Sequence, residues 1–236
     1  KIPIKIIKTK TFDYFEVKGE TNFNSFEYNV PGDISSSSFF IVLTLLSKNS
    51  KLVVKNVNIN NTRTGIIKIL NMMNAKIKFK NKKFYKGEKI SDILIKSTKN
   101  LKGLECPETL NSSAIDEFLV IFLVAAKANG ISTFKNLGEL NKKESPRLNI
   151  GIKFLRMIGI KVTRKNNNIK IFGNPNINLD KIYNIKNFKK DHRVFMMSCI
   201  AALSFGGEWN IYHKDSINSS FPNFLKITKR LGAKIY

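Results

Sequence analysis

Apolar residues along this chain gather into three long runs, and the residues around each run follow one plan. The first run spans 35–46, opens Ser35-Ser36-Ser37-Ser38-Phe39-Phe40, and is followed by Lys51-Leu52-Val53-Val54-Lys55. The second spans 113–128, opens Ser113-Ala114-Ile115-Asp116-Glu117-Phe118, and is followed by Ile131-Ser132-Thr133-Phe134. The third spans 191–203, opens Asp191-His192-Arg193-Val194-Phe195, and is followed by Glu208-Trp209-Asn210-Ile211-Tyr212. Each run is apolar almost all round, which predicts a buried helix rather than a surface one. The short segment after it predicts a strand. A second helix is predicted over 64–73, 145–157 and 221–231. All three end alike, in Asn74-Ala75-Lys76-Ile77, Gly159-Ile160-Lys161-Val162 and Gly232-Ala233-Lys234-Ile235. Gly or Asn just past a helix is the usual left-handed cap. β-Hairpins are predicted within 76–85 and 161–172, with basic or Asn-rich turns.

The repeating unit is βαβαββ-like with a period of roughly 80 residues, longer than the common solenoid repeats. Three such units around one axis would put the apolar helices inside and the sheets outside. The predicted class is therefore α/β (α+β), with one domain over 31–236 and repeats at about 31–97, 98–173 and 174–236. Residues 1–30 do not fit the repeat. They hold a predicted strand, Phe15-Glu16-Val17-Lys18-Gly19, and an extended segment at 27–30, before Val30-Pro31-Gly32-Asp33 breaks the pattern. They read as the tail of a preceding domain and the crossover from it. The opening Lys1-Ile2-Pro3-Ile4 reads like mid-strand and there is no Met at position 1, as for a piece of a longer protein.

Composition narrows the classes. The 236 residues are 42% hydrophobic and 25% charged, ordinary for a globular protein and against long disorder. Two cysteines, Cys106 and Cys199, exclude a disulfide scaffold or a four-cysteine zinc site and read as reduced core thiols. The longest apolar run, 118–126, is far short of the roughly 18 residues that span a bilayer. No signal peptide is evident, so a cytoplasmic location is expected. The net charge of +24 suggests polyanions. However, only six of the 41 basic residues are Arg, and the 35 lysines come with abundant Asn and Ile. These three residues share A/T-rich codons, so base bias explains the charge without a nucleic-acid partner.

Charged residues at the ends of buried helices need a reason, because an unpaired buried charge is costly. Asp116 and Glu117 are read as opening the second inner helix, and Asp191-His192-Arg193 the third. Helix N-termini favour anionic side chains and ligands. Asp116 can simply complement the dipole, and Arg193 can pair with Asp191 or Asp33. Lys142-Lys143-Glu144-Ser145-Pro146-Arg147 is a loop leading into a helix, with Pro146 suited to the first turn. Lys143 and Arg147 can hold phosphate and carboxylate oxygens. Glu144 between them can move a proton. A Lys-rich capping loop is the plain alternative.

Together these words resemble the 5-enolpyruvylshikimate-3-phosphate (EPSP) synthase family. The matching stretches are VPGDISSSSFF from Val30, NTRTG from Asn61, AIDEF from Ala114, KESPRL from Lys143, DHRVFM from Asp191 and SFPNF from Ser220. They stand in the family's order and cover nearly all of 30–236. The resemblance implies an inside-out α/β barrel, built from three βαβαββ units, that is one of two domains closing over a cleft. It implies transfer of the enolpyruvyl group of phosphoenolpyruvate to the 5-hydroxyl of shikimate 3-phosphate, with no metal or organic cofactor and a monomeric full-length enzyme. Carried over residue by residue, Asp116 matches the carboxylate that binds the shikimate ring and takes the hydroxyl proton. Lys143 matches the lysine on shikimate 3-phosphate. Glu144 matches the glutamate for proton transfer at the phosphoenolpyruvate methylene, and Arg147 and Arg193 match the arginines that clamp phosphoenolpyruvate.

Departures accompany the match. Ser219 stands where some members carry a lysine, and Pro146 stands where Asp is usual. The first domain's motifs (a Lys-Ser and an Arg, a Gly loop, a Ser-Ser-Gln segment) match no stretch of this chain, so the 236 residues alone are expected to be inactive. Two alternatives are weighed. One is the sister transferase acting on UDP-N-acetylglucosamine, disfavoured by KES-x-R and DHR. The other is a basic non-enzymatic RNA-binding module, suggested only by the related repeats of RNA 3′-phosphate cyclases.

Overall fold

The computed structural model describes residues 4–19, 22 and 24–236, so the first three residues of the opening strand lie outside it. Contacts divide the chain into two units, Lys1–Val30 and Pro31–Tyr236. In the first unit, β1 (Ile4–Lys8) and β2 (Asp13–Val17) pair antiparallel, with Ile6 opposite Phe15. All ten strand residues are exposed, including Ile4, Ile6, Ile7, Tyr14, Phe15 and Val17. β2 starts two residues before the predicted strand. Residues 27–30, expected to be extended, form no strand.

The second unit is mixed α/β. Three inner helices, α1 (Ile34–Leu46), α3 (Phe118–Lys127) and α5 (His192–Phe205), pack pairwise against one another. Phe118 and every residue on to Ala126 is buried, as a helix apolar on all faces requires. Burial of each large side chain contributes about 1.5–3 kcal/mol, which makes this helix triplet the core. Outer helices α2 (Gly65–Met72), α4 (Arg147–Met157) and α6 (Phe224–Arg230) alternate with them. Each is followed by a residue in the left-handed region, at Asn74, Gly159 and Gly232.

Among the described residues the other strands form open sheets, and none closes into a barrel. β3 (Lys51–Asn58), β4 (Lys76–Tyr85) and β5 (Glu88–Lys96) form one in the order β3-β5-β4. β6 (Ile131–Phe134), β7 (Val162–Lys165) and β8 (Asn168–Phe172) repeat it as β6-β8-β7. In the third repeat β9 (Leu179–Ile185) and β10 (Gly206–Ile211) pair in parallel. The same parallel relation appears earlier as single bridges, Gly32 to Val57, and Lys102 and Glu105 to Asn129 and Thr133. In all three repeats, then, the segment before the inner helix lies parallel to the strand after it.

The first hairpin differs from its prediction. The whole of 76–85 is one strand, and the turn is Lys86-Gly87, both with positive φ, as a two-residue hairpin turn demands. Within 76–85 the β4–β5 pairing has an irregularity between Lys80 and Lys83, with Asn81 left-handed. The second hairpin does turn within 161–172, at Asn166-Asn167, with Asn166 left-handed. No helix among the described residues is long and apolar enough to cross a membrane.

Gly65 sets how close α2 comes to the turn that precedes α3. A Cβ there would stand 2.4 Å from Ser113 Oγ and 2.7 Å from the Ser113 carbonyl carbon. Backbone cannot yield cheaply at that distance, and overpacking costs about 1–3 kcal/mol. Gly65→Ala should therefore lower stability by about that much in urea unfolding, and move the turn that leads to Asp116. Gly130→Ala, where nothing lies within 4 Å of the new Cβ, should cost about 1 kcal/mol through its positive φ alone.

Candidate active site

The three inner helices begin beside acidic residues. Asp33 caps α1, accepting from Ser36 N–H at 2.7 Å. Asp191 caps α5, accepting from Arg193 N–H at 2.9 Å. Asp116 and Glu117 were expected to open the second inner helix. They lie instead in the turn before α3, after a short 3-10 segment (Ser112–Ala114).

Five sequence-predicted residues meet here. Asp116 lies 3.4 Å from Lys143 Nζ, 3.5 Å from an Arg147 nitrogen and 3.6 Å from Arg193 Nη2. Arg193 Nη1 also donates to the Asp116 carbonyl at 3.0 Å. The expected pairing of Arg193 with Asp191 or Asp33 is thus replaced by Asp116. Asp191 is occupied otherwise: Arg147 Nε and Nη2 fork onto its two oxygens at 2.8 and 3.2 Å, and Ser145 Oγ–H donates at 2.7 Å. Asp33 faces Arg63 at 3.8 Å. Arg147 Nη2 also reaches Glu144 at 2.5 Å. Ser219 stands exposed in the turn 218–220, joined to this cluster by no hydrogen bond or ion pair among the described residues.

Exposure sorts these groups by task. Arg147 is 1% exposed and Asp191 is fully covered, whereas Glu144 is 56% exposed. Arg147 in this state is closed to a ligand, and Glu144 is the arm that covers it from the solvent side. Asp116, Lys143 and Arg193 keep partial access to solvent. Burial opposes ionisation of Asp116, but Arg193, Lys143 and Arg147 together outweigh it and hold the carboxyl below its ordinary range. Burial likewise opposes charge on Asp191, and the Arg147 fork, Ser145 and the Arg193 N–H overcome it. Burial and then the Arg193 charge push His192 down, leaving it a neutral imidazole at pH 7. Burial raises Cys106 to about 11 and Cys199 to about 12, so both thiols are inert.

Such a cluster can bind two anionic groups and move protons. An ionised carboxylate ringed by three cations accepts a hydroxyl proton at one edge, while lysine and arginine hold phosphate or carboxylate oxygens nearby. Sequence reading gave no role to Ser145, Ser35, Arg63 or Glu117, which brace the cluster. All four lie within the stretches that match the family, Arg63 in NTRTG, but those stretches say nothing of partners.

The comparisons with known proteins agree on one family. The EPSP synthase (3-phosphoshikimate 1-carboxyvinyltransferase) family matches residues 1–227. A 3-phosphoshikimate 1-carboxyvinyltransferase of Petrotoga mobilis is 38% identical over 216 residues, 91% of this chain and 49% of the relative. One of Ruthia magnifica is 37% identical over 221 residues, 92% and 49%. The EPSP synthase structure from Acinetobacter baumannii superposes with a TM-score of 0.83 at 32% identity, covering 96% of this chain and 51% of its own. The enolpyruvyl transferase NikO from Streptomyces tendae superposes at 0.72 with 14% identity, which speaks to the fold alone. The chain spans about half the length of the curated relatives it matches.

The carboxyls of Asp116 and Asp191, ordinarily near 3.8, are both held lower in the fold. A depressed folded value stabilises above the unfolded value and is lost as pH falls through the folded one. Urea midpoints should therefore drop as pH falls from about 5 to about 3. Asp191→Asn should flatten that slope and lower stability at pH 7 by about 3 kcal/mol.

Proposed function

The chain belongs to the EPSP synthase family, and we propose that it supplies one half of an enzyme that moves the enolpyruvyl group from phosphoenolpyruvate to the 5-hydroxyl of shikimate 3-phosphate. The observation that carries this reading is the Asp116 cluster. Segments of two repeats bring one lysine and two arginines to within 3.6 Å of one ionised carboxylate.

In this reading Asp116 binds the shikimate ring and takes the proton of the attacking hydroxyl. Lys143 holds the 3-phosphate. Arg193, and Arg147 once Glu144 swings aside, grip phosphoenolpyruvate. Glu144, which is exposed, gives a proton to the methylene carbon as the new C–O bond forms. It takes one back as the C–O bond to phosphate breaks. Asp116 passes the hydroxyl proton on to the departing phosphate, so addition and elimination balance, with inorganic phosphate as the second product. Ser219 offers no cation, so the family lysine's contact would come from elsewhere.

The same reading makes 31–236 a second domain of three repeats (about 31–97, 98–173 and 174–236), arranged as an inside-out barrel with the helix triplet inside. Residues 1–30 become the end of a companion domain. One observation supports that. The β1–β2 hairpin exposes apolar side chains on both faces, and a lone hairpin is marginally stable at best in water. Companion strands would cover it, and domain closure would exclude water from the cluster. A cytoplasmic, monomeric full-length enzyme completes the proposal. The UDP-N-acetylglucosamine alternative is not favoured, because the relatives reported above are named for the shikimate substrate.

Phosphate release from the two substrates tests the proposal. The 236-residue chain alone should turn over negligibly, and near-normal turnover would contradict the half-site reading. In the complete enzyme, Asp116→Asn should cost on the order of 10²–10⁴-fold in kcat. Unchanged turnover would remove Asp116 from the role of base.

A further inference from the structure

Glu117 is a carboxylate only 3% exposed that none of the steps above employs. Burying it is unfavourable, and burial pushes its carboxyl above the ordinary range. A glutamine or leucine would sit there at lower cost. What surrounds it supplies a reason. Ser35 Oγ–H donates to Glu117 Oε1 at 2.5 Å, and Arg63 Nη2 donates to Ser35 Oγ at 2.9 Å. Arg193 Nη1 lies 3.9 Å from the same Glu117 oxygen. The guanidinium of Arg193 is thereby fixed on three sides: Asp116 Oδ2 at 3.6 Å, the Asp116 carbonyl at 3.0 Å, and Glu117. It remains 14% exposed, so part of it stays open to an incoming anion.

We infer that Glu117 is a positioning residue that aims Arg193 at the anionic co-substrate, with Ser35 and Arg63 as its support. The inference rests on the proposed function for the identity of that anion, and on geometry alone for the aiming. Without the Glu117 charge, Arg193 has one carboxylate left to satisfy. Its planar fork then closes more tightly on Asp116, which turns its donors away from the cleft. The line Arg63–Ser35–Glu117–Arg193 also links the entry to α2 and the starts of α1, α3 and α5. All three repeats therefore contribute to the orientation of one side chain.

The test is Glu117→Gln in the complete enzyme, which keeps a partner for Ser35 and removes only the charge. The KM for phosphoenolpyruvate should rise about tenfold, while that for shikimate 3-phosphate, held by Lys143, stays within about twofold. Nitrogen-15 NMR should show the Arg193 guanidinium rotating faster in the variant and Arg147 unchanged. Arg63→Gln, at a half-exposed position, should shift the phosphoenolpyruvate KM in the same direction by about threefold and reads the effect if Glu117→Gln fails to fold. Equal rises in both KM values with unchanged Arg193 rotation would overturn the inference, as would no change at all. Absence of enolpyruvyl transfer in the unaltered enzyme would overturn the proposed function instead, with the Arg193 rotation still deciding the aiming role.

Discussion

A guanidinium with 1% of its surface exposed can exist inside this fold only because carboxylates surround it. Arg147 has Asp191 on two of its nitrogens, Glu144 on one and Asp116 near another. An isolated buried ion would cost several kcal/mol, and even a good pair recovers little more than that cost. The contribution of this pair is therefore specificity rather than net stability. It fixes the start of α4 against the start of α5, and with them the position of everything that faces the cleft.

The threefold repeat is what makes such a cluster affordable in so small a chain. Each inner helix ends its apolar run at the same end of the core, and each start carries an acid: Asp33, Asp116 with Glu117, and Asp191. Three helix N-termini side by side make a region of positive potential. The acids are the internal answer to it, and small phosphorylated substrates are the external one. The arginines then bridge acids from different repeats. The +24 charge does not do this. Most of the lysines lie out on the sheets and turns, and among the described ones only Lys143 enters the cluster.

Much of this was legible beforehand. The inner helices showed as apolar runs because they are covered on every side, and Asn74, Gly159 and Gly232 marked helix ends through their left-handed preference. The words around Asp116, Lys143, Glu144, Arg147 and Arg193 picked out residues that the fold brings together. Partnership was not legible. Asp191 lies 44 residues from Arg147, and Arg193 lies 77 from Asp116, so only the packing of repeats decides who meets whom. Local rules also failed at Asp116, where a 3-10 segment delays the helix, and in the first hairpin, whose turn falls at Lys86-Gly87, past the predicted 76–85. In both cases tertiary pairing overrode the local signal.

The central claim is that Arg147 and Asp191 are one coupled unit that holds the cluster. A double-mutant cycle measures that directly, with Arg147→Met, Asp191→Asn and the pair, each followed by urea unfolding at pH 7. If the claim holds, each single change leaves a buried charge alone, and the double variant recovers much of the loss, with a coupling energy of about 2–3 kcal/mol. Additive losses, with coupling near zero, would mean the two side chains are merely neighbours and that something else fixes the site.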